Sequence, residues 1–377
     1  MLNGPHVLLA GGSLLGNLYP GLSIARHVQR MMPEAQVSFA GDGRAVERHL
    51  VRGAGYNYVA MPSKPVPNSP LEAVRFVTDN FVGFWASRWL VREQKVSLVV
   101  GLGGCASAAM VRAAHGKGVP FVLLEQDAAP SRTARRMAHA AEAVCGAFES
   151  LRPHLSVDAP LMVTGVPGRP GFEALADRRR RPLDAGDPLR RLVVLGGVGG
   201  GHTLNEAAPA ALSEMVGDLS GWQIVHQTGE GQLQATEQRY AGRGLDALVV
   251  THIDELASLL AETDLVVCRS GGTMLAELAL AGAPAVLVPL IDGEGDHQMA
   301  NARLFAEQSG CPVVDPYSTP QSLASGLAQE LRLLMADAGR RQELSDRVAQ
   351  LARPDAGEKI AEVVCECLCG VGGRLAA

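Results

Sequence analysis

Aromatic residues are scarce in this 377-residue chain, only 4% of it, whereas hydrophobic residues make up 47% and glycines number 43. That balance disfavours an all-β sandwich and favours helices packed closely on sheets. Long hydrophobic runs are also missing. The stretch "AELALAGAPAVLVPLI" is broken by glycine and too short to span a bilayer. The opening "MLNGPHVLL" has neither a basic leader nor a small-residue cleavage site, so a cytoplasmic protein is expected. Its seven cysteines are odd in number and lack a framework spacing, which excludes a disulfide scaffold. Three of them fall in "CECLC", but thiols at i, i+2 and i+4 of a helix do not converge, so no metal is expected there. Strong charge is absent too. The net charge of −5 argues against a nucleic-acid partner, although the residues through Gly165 sum to +5 and the remainder to −10.

What is present is rhythm. "HVLLAGG", "QVSFAGDG", "YNYVAMP", "VSLVVGLGG" and "PFVLLEQ" are short apolar runs closed by turn residues and separated by helix-length segments. They predict a parallel doubly wound sheet, whose ligands sit beyond the carboxyl ends of the strands. "GGSLLGN", "GLGGCAS" and "EQDAAPS" all fall there. A charged, proline-bearing linker over 171–191 follows a first domain of 1–170, and it includes "RRRR" at Arg178–Arg181. Five more strand-like runs, "RLVVLGGVGGG", "WQIVHQTGEG", "LDALVVTHI", "TDLVVCRSGG" and "APAVLVPLI", mark a second domain of the same class over 192–350. A helical tail over 351–377 closes the chain. Two doubly wound Rossmann-like α/β domains facing across a cleft make the GT-B architecture of nucleotide-sugar transferases, an outline other α/β enzymes share.

The segment Asp264–Leu290 carries the most chemistry. A buried strand ends at Cys268, the turn Ser270-Gly271-Gly272 follows, and Met274, Leu275, Leu278 and Leu280 start a helix. Unpaired N–H groups at such a start hold anions, and glycine lets a diphosphate approach the backbone. Glu277, one turn further on, suits a ribose diol; the competing reading is an ordinary helix cap with a surface glutamate.

"CRSGGTMLAELALAGAPAVLVPL" followed by "DHQMANARLF" resembles the donor-site signature of the MurG family, which transfers N-acetylglucosamine from its UDP derivative to lipid I. "WQIVHQTGEG", "VTHIDELASLLAETDLVV", "VVGLGGCASAA" and "LLEQDAAPS" extend the resemblance from about residue 5 to about residue 350. It implies an inverting, UDP-N-acetylglucosamine-dependent glycosyltransferase of peptidoglycan synthesis that needs no metal and no cofactor beyond its donor. It also implies a uracil contact near Ile253, a ribose carboxylate at Glu277, and a phosphate and sugar turn of Arg269, Ser270, Gly271, Gly272 and Thr273. His297 and Gln298 then reach sugar hydroxyls, Arg169 lies near the donor phosphates, and Ser13 and Gly16 contribute from the first loop.

The departures touch ligand-facing loops. Asn17 stands where the family has a histidine often proposed as the base, Asp127 replaces a sugar-contacting amide, and Val198 replaces a phosphate-contacting serine. Amide nitrogen is not a base, which leaves Glu125 or Asp127 to take the proton. Three readings remain open: a working family member, a transferase with a different acceptor, and a weakened UDP-sugar-binding paralogue. A UDP-sugar epimerase on the same plan is a further rival.

The segment Arg75–Lys95 accounts for the basic first half. At helical spacing Phe81, Phe84, Trp85, Arg88, Arg92 and Lys95 share one stripe, with Val82, Ala86 and Leu90 pointing to a core. Such a stripe suits an anionic membrane surface, as a peripheral enzyme on the cytoplasmic face with a polyprenyl-linked acceptor requires. The alternative is a helix buried on both faces.

Overall fold

The structure, a computed structural model, describes residues 4–12, 15–62, 70–176, 189–197, 201–290, 297–315 and 319–370, without the side chains of 15, 70–81 and 320. Ser13, Val198 and the arginine run of the linker lie outside the described residues. The chain forms two compact units, Met1–Pro170 with Asp355–Ala377, and Gly171–Pro354.

The first unit runs β1 (His6–Gly11), α1 (Leu15–Met31), β2 (Gln36–Gly41), α2 (Ala45–Gly53), β3 (Asn57–Ala60), α3 (Pro70–Glu93), β4 (Leu98–Gly103), α4 (Gly104–His115), β5 (Phe121–Glu125), α5 (Arg132–Met137), β6 (Ala143–Gly146) and β7 (Leu161–Val163). Its strands form one parallel sheet in the order β3-β2-β1-β4-β5-β6-β7. The first five are the five runs read from the sequence, and β6 and β7 extend the sheet beyond them. Val7, Leu8, Leu9 and Ala10 are all fully buried, because a parallel sheet covered on both faces takes apolar residues at every position rather than at alternate ones.

The second unit runs β8 (Arg190–Leu195), α6 (His202–Ser213), β9 (Trp222–Gln227), α7 (Leu233–Ala241), β10 (Leu248–Val250), α8 (Leu256–Ala261), β11 (Leu265–Cys268), α9 (Gly272–Ala281), β12 (Ala285–Leu287), α10 (His297–Ser309), α11 (Pro320–Ala336) and α12 (Ala338–Gln350). Its parallel sheet has the order β10-β9-β8-β11-β12. Leu192 and Val194 of β8 join the core with Leu204 of α6 and Leu327 of α11. Val193 and Leu195, pointing the other way, join Leu260, Leu275 and Phe305 of α8, α9 and α10. Each such side chain contributes about 1.5–3 kcal/mol by leaving water. The closing segment, expected as a tail, supplies α13 (Ala356–Leu368) to the first unit, where it packs along α1 and Arg30 pairs with Glu358 at 3.4 Å.

Strand order reverses between β1 and β4 in the first sheet and between β8 and β11 in the second. At such a point the two flanking connections leave in opposite directions and open a crevice at the strands' carboxyl ends. The loops that carry the sequence motifs lie at these two places.

Candidate active site

In the first unit, α4 begins immediately after β4, and Gly104 there has φ +84°, with the Gly12 carbonyl so close that no Cβ would fit. This close approach joins the turns after β1 and β4. Asn17 donates from Nδ2 to the Gly12 carbonyl at 2.9 Å. Gln126, 9% exposed, donates from Nε2 to the Leu102 carbonyl at 3.0 Å and, more weakly, to Asn17 Oδ1 at 3.4 Å. The ends of β1, β4 and β5 are thereby tied together through two amides. Asn17 stands where a base would be expected and holds the loop instead.

Glu125 is 6% exposed and accepts from Ser131 twice, from its backbone N–H at 2.6 Å and from its hydroxyl at 2.8 Å. Ser131 in turn caps α5 by accepting from the Ala134 N–H at 3.1 Å. Burial pushes the Glu125 carboxyl up to about 7; the Ser131 bonds oppose the rise, the Asp127 charge adds to it and Arg135 opposes it. Both Glu125 oxygens are thus engaged within their own loop. Asp127, half-buried, stands further along the same loop.

Two residues the sequence reading did not single out complete this crevice. Gln126 is one, and nothing but its place between two acids marks it. Asp42 is the other: its carboxylate lies against Gly12, where a Cβ would come within 2.7 Å of Oδ1. An acid at the end of the second strand of a doubly wound sheet is a known ligand position, so "AGDG" held the signal. Arg169, expected near phosphates, stacks in this unit over the ring of Tyr19, with its guanidinium carbon 4.4 Å from the ring centre.

In the second unit, Gly271 caps α9 with no side-chain hydrogen bond, and a Cβ there would meet nothing within 4 Å. A ten-residue helix therefore starts on bare glycine backbone at the switch point, and a helix start is where anionic oxygen is attracted. Glu277 is fully buried, so it is not the surface glutamate of the competing reading.

Several motif residues hold the frame around that opening. The Ser270 hydroxyl donates to the Gln298 carbonyl at 2.7 Å, and the Ser270 carbonyl accepts from Asn301 Nδ2 at 3.0 Å. Gln298 Oε1 accepts from the Leu290 N–H at 2.9 Å. Arg269, 8% exposed, donates from Nη1 to the Val288 and Pro289 carbonyls, each at 3.2 Å, while Nε and Nη2 are buried with no hydrogen-bond partner among the described residues. Burial lowers its pKa to about 10. The turn, the end of β12 and α10 are thus laced together by the side chains expected to contact ligand. His297, half-buried, begins α10, Thr273 is buried in the first turn of α9, and Ile253, half-buried, follows β10 and packs on the core.

Helix α3 presents a different surface from the one its periodicity suggested. Leu90 is 2% exposed and Ala86 packs on the core, but Val82, expected inside, is 54% exposed. Trp85 and Trp89 are exposed at 54% and 64%, and Arg92 lies on the same face. Phe84 is half-buried, with the Arg88 and Arg112 guanidinium carbons each 5.7 Å from its ring centre. The exposed line is therefore Val82-Trp85-Trp89-Arg92, rotated from the expected one, and the Phe81 side chain lies outside the described residues. Among the described residues no helix is long and apolar enough to cross a membrane.

Over residues 6–145 the chain matches the glycosyltransferase family 28 N-terminal domain, and over 191–360 the family's C-terminal domain. It is 32% identical, across 94% of its own length and 97% of the relative's, to a protein of Geobacter sulfurreducens named UDP-N-acetylglucosamine--N-acetylmuramyl-(pentapeptide) pyrophosphoryl-undecaprenol N-acetylglucosamine transferase. A protein of the same name from Stutzerimonas stutzeri is 33% identical, across 96% of this chain and 98% of the relative. The crystal structure of Acinetobacter baumannii MurG shares the fold, with a TM-score of 0.71 at 24% identity, covering 96% of this chain and 100% of that one.

Proposed function

The chain belongs to glycosyltransferase family 28, and from that premise we propose that it transfers N-acetylglucosamine from UDP-N-acetylglucosamine to a polyprenyl-diphosphate-linked muramyl peptide, a step of peptidoglycan synthesis. The observation that carries this reading is the glycine start of α9 at the switch point, with the buried Glu277 one turn beyond it. The acceptor hydroxyl attacks the anomeric carbon as the bond from that carbon to the diphosphate oxygen breaks, with inversion. The electron pair leaves with UDP, and the hydroxyl proton passes to a carboxylate of the first unit. Backbone N–H groups at Gly272 and Thr273 stabilise the departing diphosphate, so no bound cation is needed. Incubation with labelled UDP-N-acetylglucosamine and polyprenyl-linked acceptors tests the reading. Glycolipid and UDP are expected together; release of free sugar or an epimer without acceptor would overturn it.

Glu277 is the ribose ligand in this reading, and a carboxylate accepting two hydroxyl hydrogen bonds contributes about 1.5–3 kcal/mol. Glu277→Ala therefore weakens UDP binding by about tenfold or more, as calorimetric titration would measure. Unchanged affinity would remove Glu277 from the site.

The protein works as a peripheral enzyme at the cytoplasmic face of the membrane, and the exposed Val82-Trp85-Trp89-Arg92 line of α3 is its contact. Tryptophan rings belong at the lipid headgroup level, and each nearby cation adds about 1 kcal/mol at an anionic surface. Trp85→Ser with Trp89→Ser is expected to release the protein from anionic vesicles in a flotation assay while turnover of a short-chain soluble acceptor persists. Unchanged flotation would assign the line to a protein contact.

A further inference from the structure

A second buried polar constellation joins β9, α6 and α7. His226 at the end of β9 is fully buried, as are Asn205 on α6 and Thr228, and Tyr240 on α7 is 2% exposed. His226 Nδ1 lies 2.9 Å from the Tyr240 hydroxyl and Nε2 lies 3.0 Å from Asn205 Oδ1. Asn205 Nδ2 donates to the Thr228 carbonyl at 2.9 Å.

These contacts have one self-consistent direction. A carbonyl only accepts, so Asn205 must present its NH2 to Thr228 and its oxygen to His226. The imidazole then carries its proton on Nε2 and accepts the Tyr240 hydroxyl at Nδ1. Burial keeps the ring neutral, lowering its pKa to about 3. The chain Tyr240–His226–Asn205–Thr228 thus leaves none of these donors unsatisfied.

The chain ends where the β8–α6 connection begins. Gly196 follows β8 and donates its N–H to the Gln227 carbonyl at 2.9 Å, and a Cβ on Gly196 would collide with Asn205 Oδ1. Gly201 opens α6, accepts from the Asn205 N–H at 2.8 Å, and has no room for a Cβ against the Gly196 carbonyl. The Asn205 side chain therefore packs against Gly196 at one end, its backbone closes the first turn of α6 on Gly201 at the other, and His226 fixes the orientation of that side chain. Apolar side chains of similar size would fill this space without burying polar groups; what the polar chain adds is direction.

We infer that His226 is a positioning residue for the donor crevice: through Asn205 it sets how Gly196 and Gly201 meet, and so where the first N–H groups of α6 point. This rests on the transferase reading. His226 touches no substrate.

The test compares His226→Leu, which removes both polar contacts, with His226→Gln, whose amide can donate to Asn205 and accept from Tyr240. His226→Leu is expected to weaken UDP binding about tenfold and to speed amide exchange in the first turn of α6, with acceptor KM unchanged, since leaving buried groups unpaired costs about a factor of ten or more. His226→Gln is expected to restore UDP affinity to within about threefold of the parent. Should His226→Leu fail to fold, Tyr240→Phe removes only the terminal donor, with an expected loss of about threefold in UDP affinity. Parental UDP affinity and parental α6 exchange in the folded variant would overturn the inference, as would faster exchange spread over the whole unit with UDP affinity intact. A parent protein that binds no UDP would overturn the transferase reading instead, and the exchange comparison would still judge the positioning role.

Discussion

Asp127→Asn lowers kcat by about 100-fold, the usual contribution of a general base, and leaves UDP affinity within about twofold of the parent. The expectation rests on elimination within one crevice. Asn17 cannot accept a proton, and its amide is committed to Gly12 and Gln126. Glu125 has both oxygens turned to Ser131. Asp127 is the half-buried acid that follows on the same loop, placed beside Gln126, which joins that loop to Asn17. Asn17→His on the Asp127→Asn background restores about tenfold of the rate: the new imidazole can donate to the Gly12 carbonyl from one nitrogen and accept the acceptor's proton at the other. Single-turnover rates decide the matter, and an Asp127→Asn enzyme as fast as the parent would move the base to Asp42, whose carboxylate lies against Gly12.

The sheets were legible because a parallel strand covered on both faces is apolar on both, as "VLLAG" and "LVVC" are. The turn before α9 was legible for the same local reason: small residues between a strand and a helix have one common geometry. What their side chains do was not. The Ser270 hydroxyl and the Gln298 amide each have a partner that folding brings from 28 and 8 residues away, and no local pattern announces those pairings. Helix α3 misled because it is apolar on more than one face. Periodicity placed Phe84 and Trp85 on one stripe, and the choice of the outward line was made by packing of Leu90 and Ala86 into the core of the first unit. The return of α13 to α1 spans over 300 residues of sequence, as the Arg30–Glu358 pair records, and an amphipathic helix carries no sign of which unit it will cover.

Glu125→Gln is expected to abolish a pH dependence of stability worth about 3 kcal/mol in the parent. The folded-state pKa of Glu125 is raised from 4.5 to about 7 by burial. Between those values the folded chain holds a proton that the unfolded chain has released, so stability falls as pH rises. The stabilisation is complete below about pH 4.5 and gone above about pH 7, where the ionised carboxylate sits buried with Ser131 as its compensation. Glutamine keeps the geometry without the charge: its oxygen can accept from the Ser131 N–H while its nitrogen donates to the Ser131 hydroxyl oxygen, which has a lone pair to spare. The variant and the parent should therefore unfold at similar urea concentrations near pH 4.5 and diverge by pH 8, where the variant is the more stable. Equal parent-minus-variant differences at the two pH values would overturn the assignment. The same substitution separates two meanings of a carboxyl titrating near neutrality. As a base, Glu125 would be well matched to its task, and its loss would cost about 100-fold in kcat. As the brace of the 126–131 loop it is replaceable by a neutral amide, so Glu125→Gln is expected to keep kcat within about threefold of the parent while Asp127→Asn, two residues along, does not.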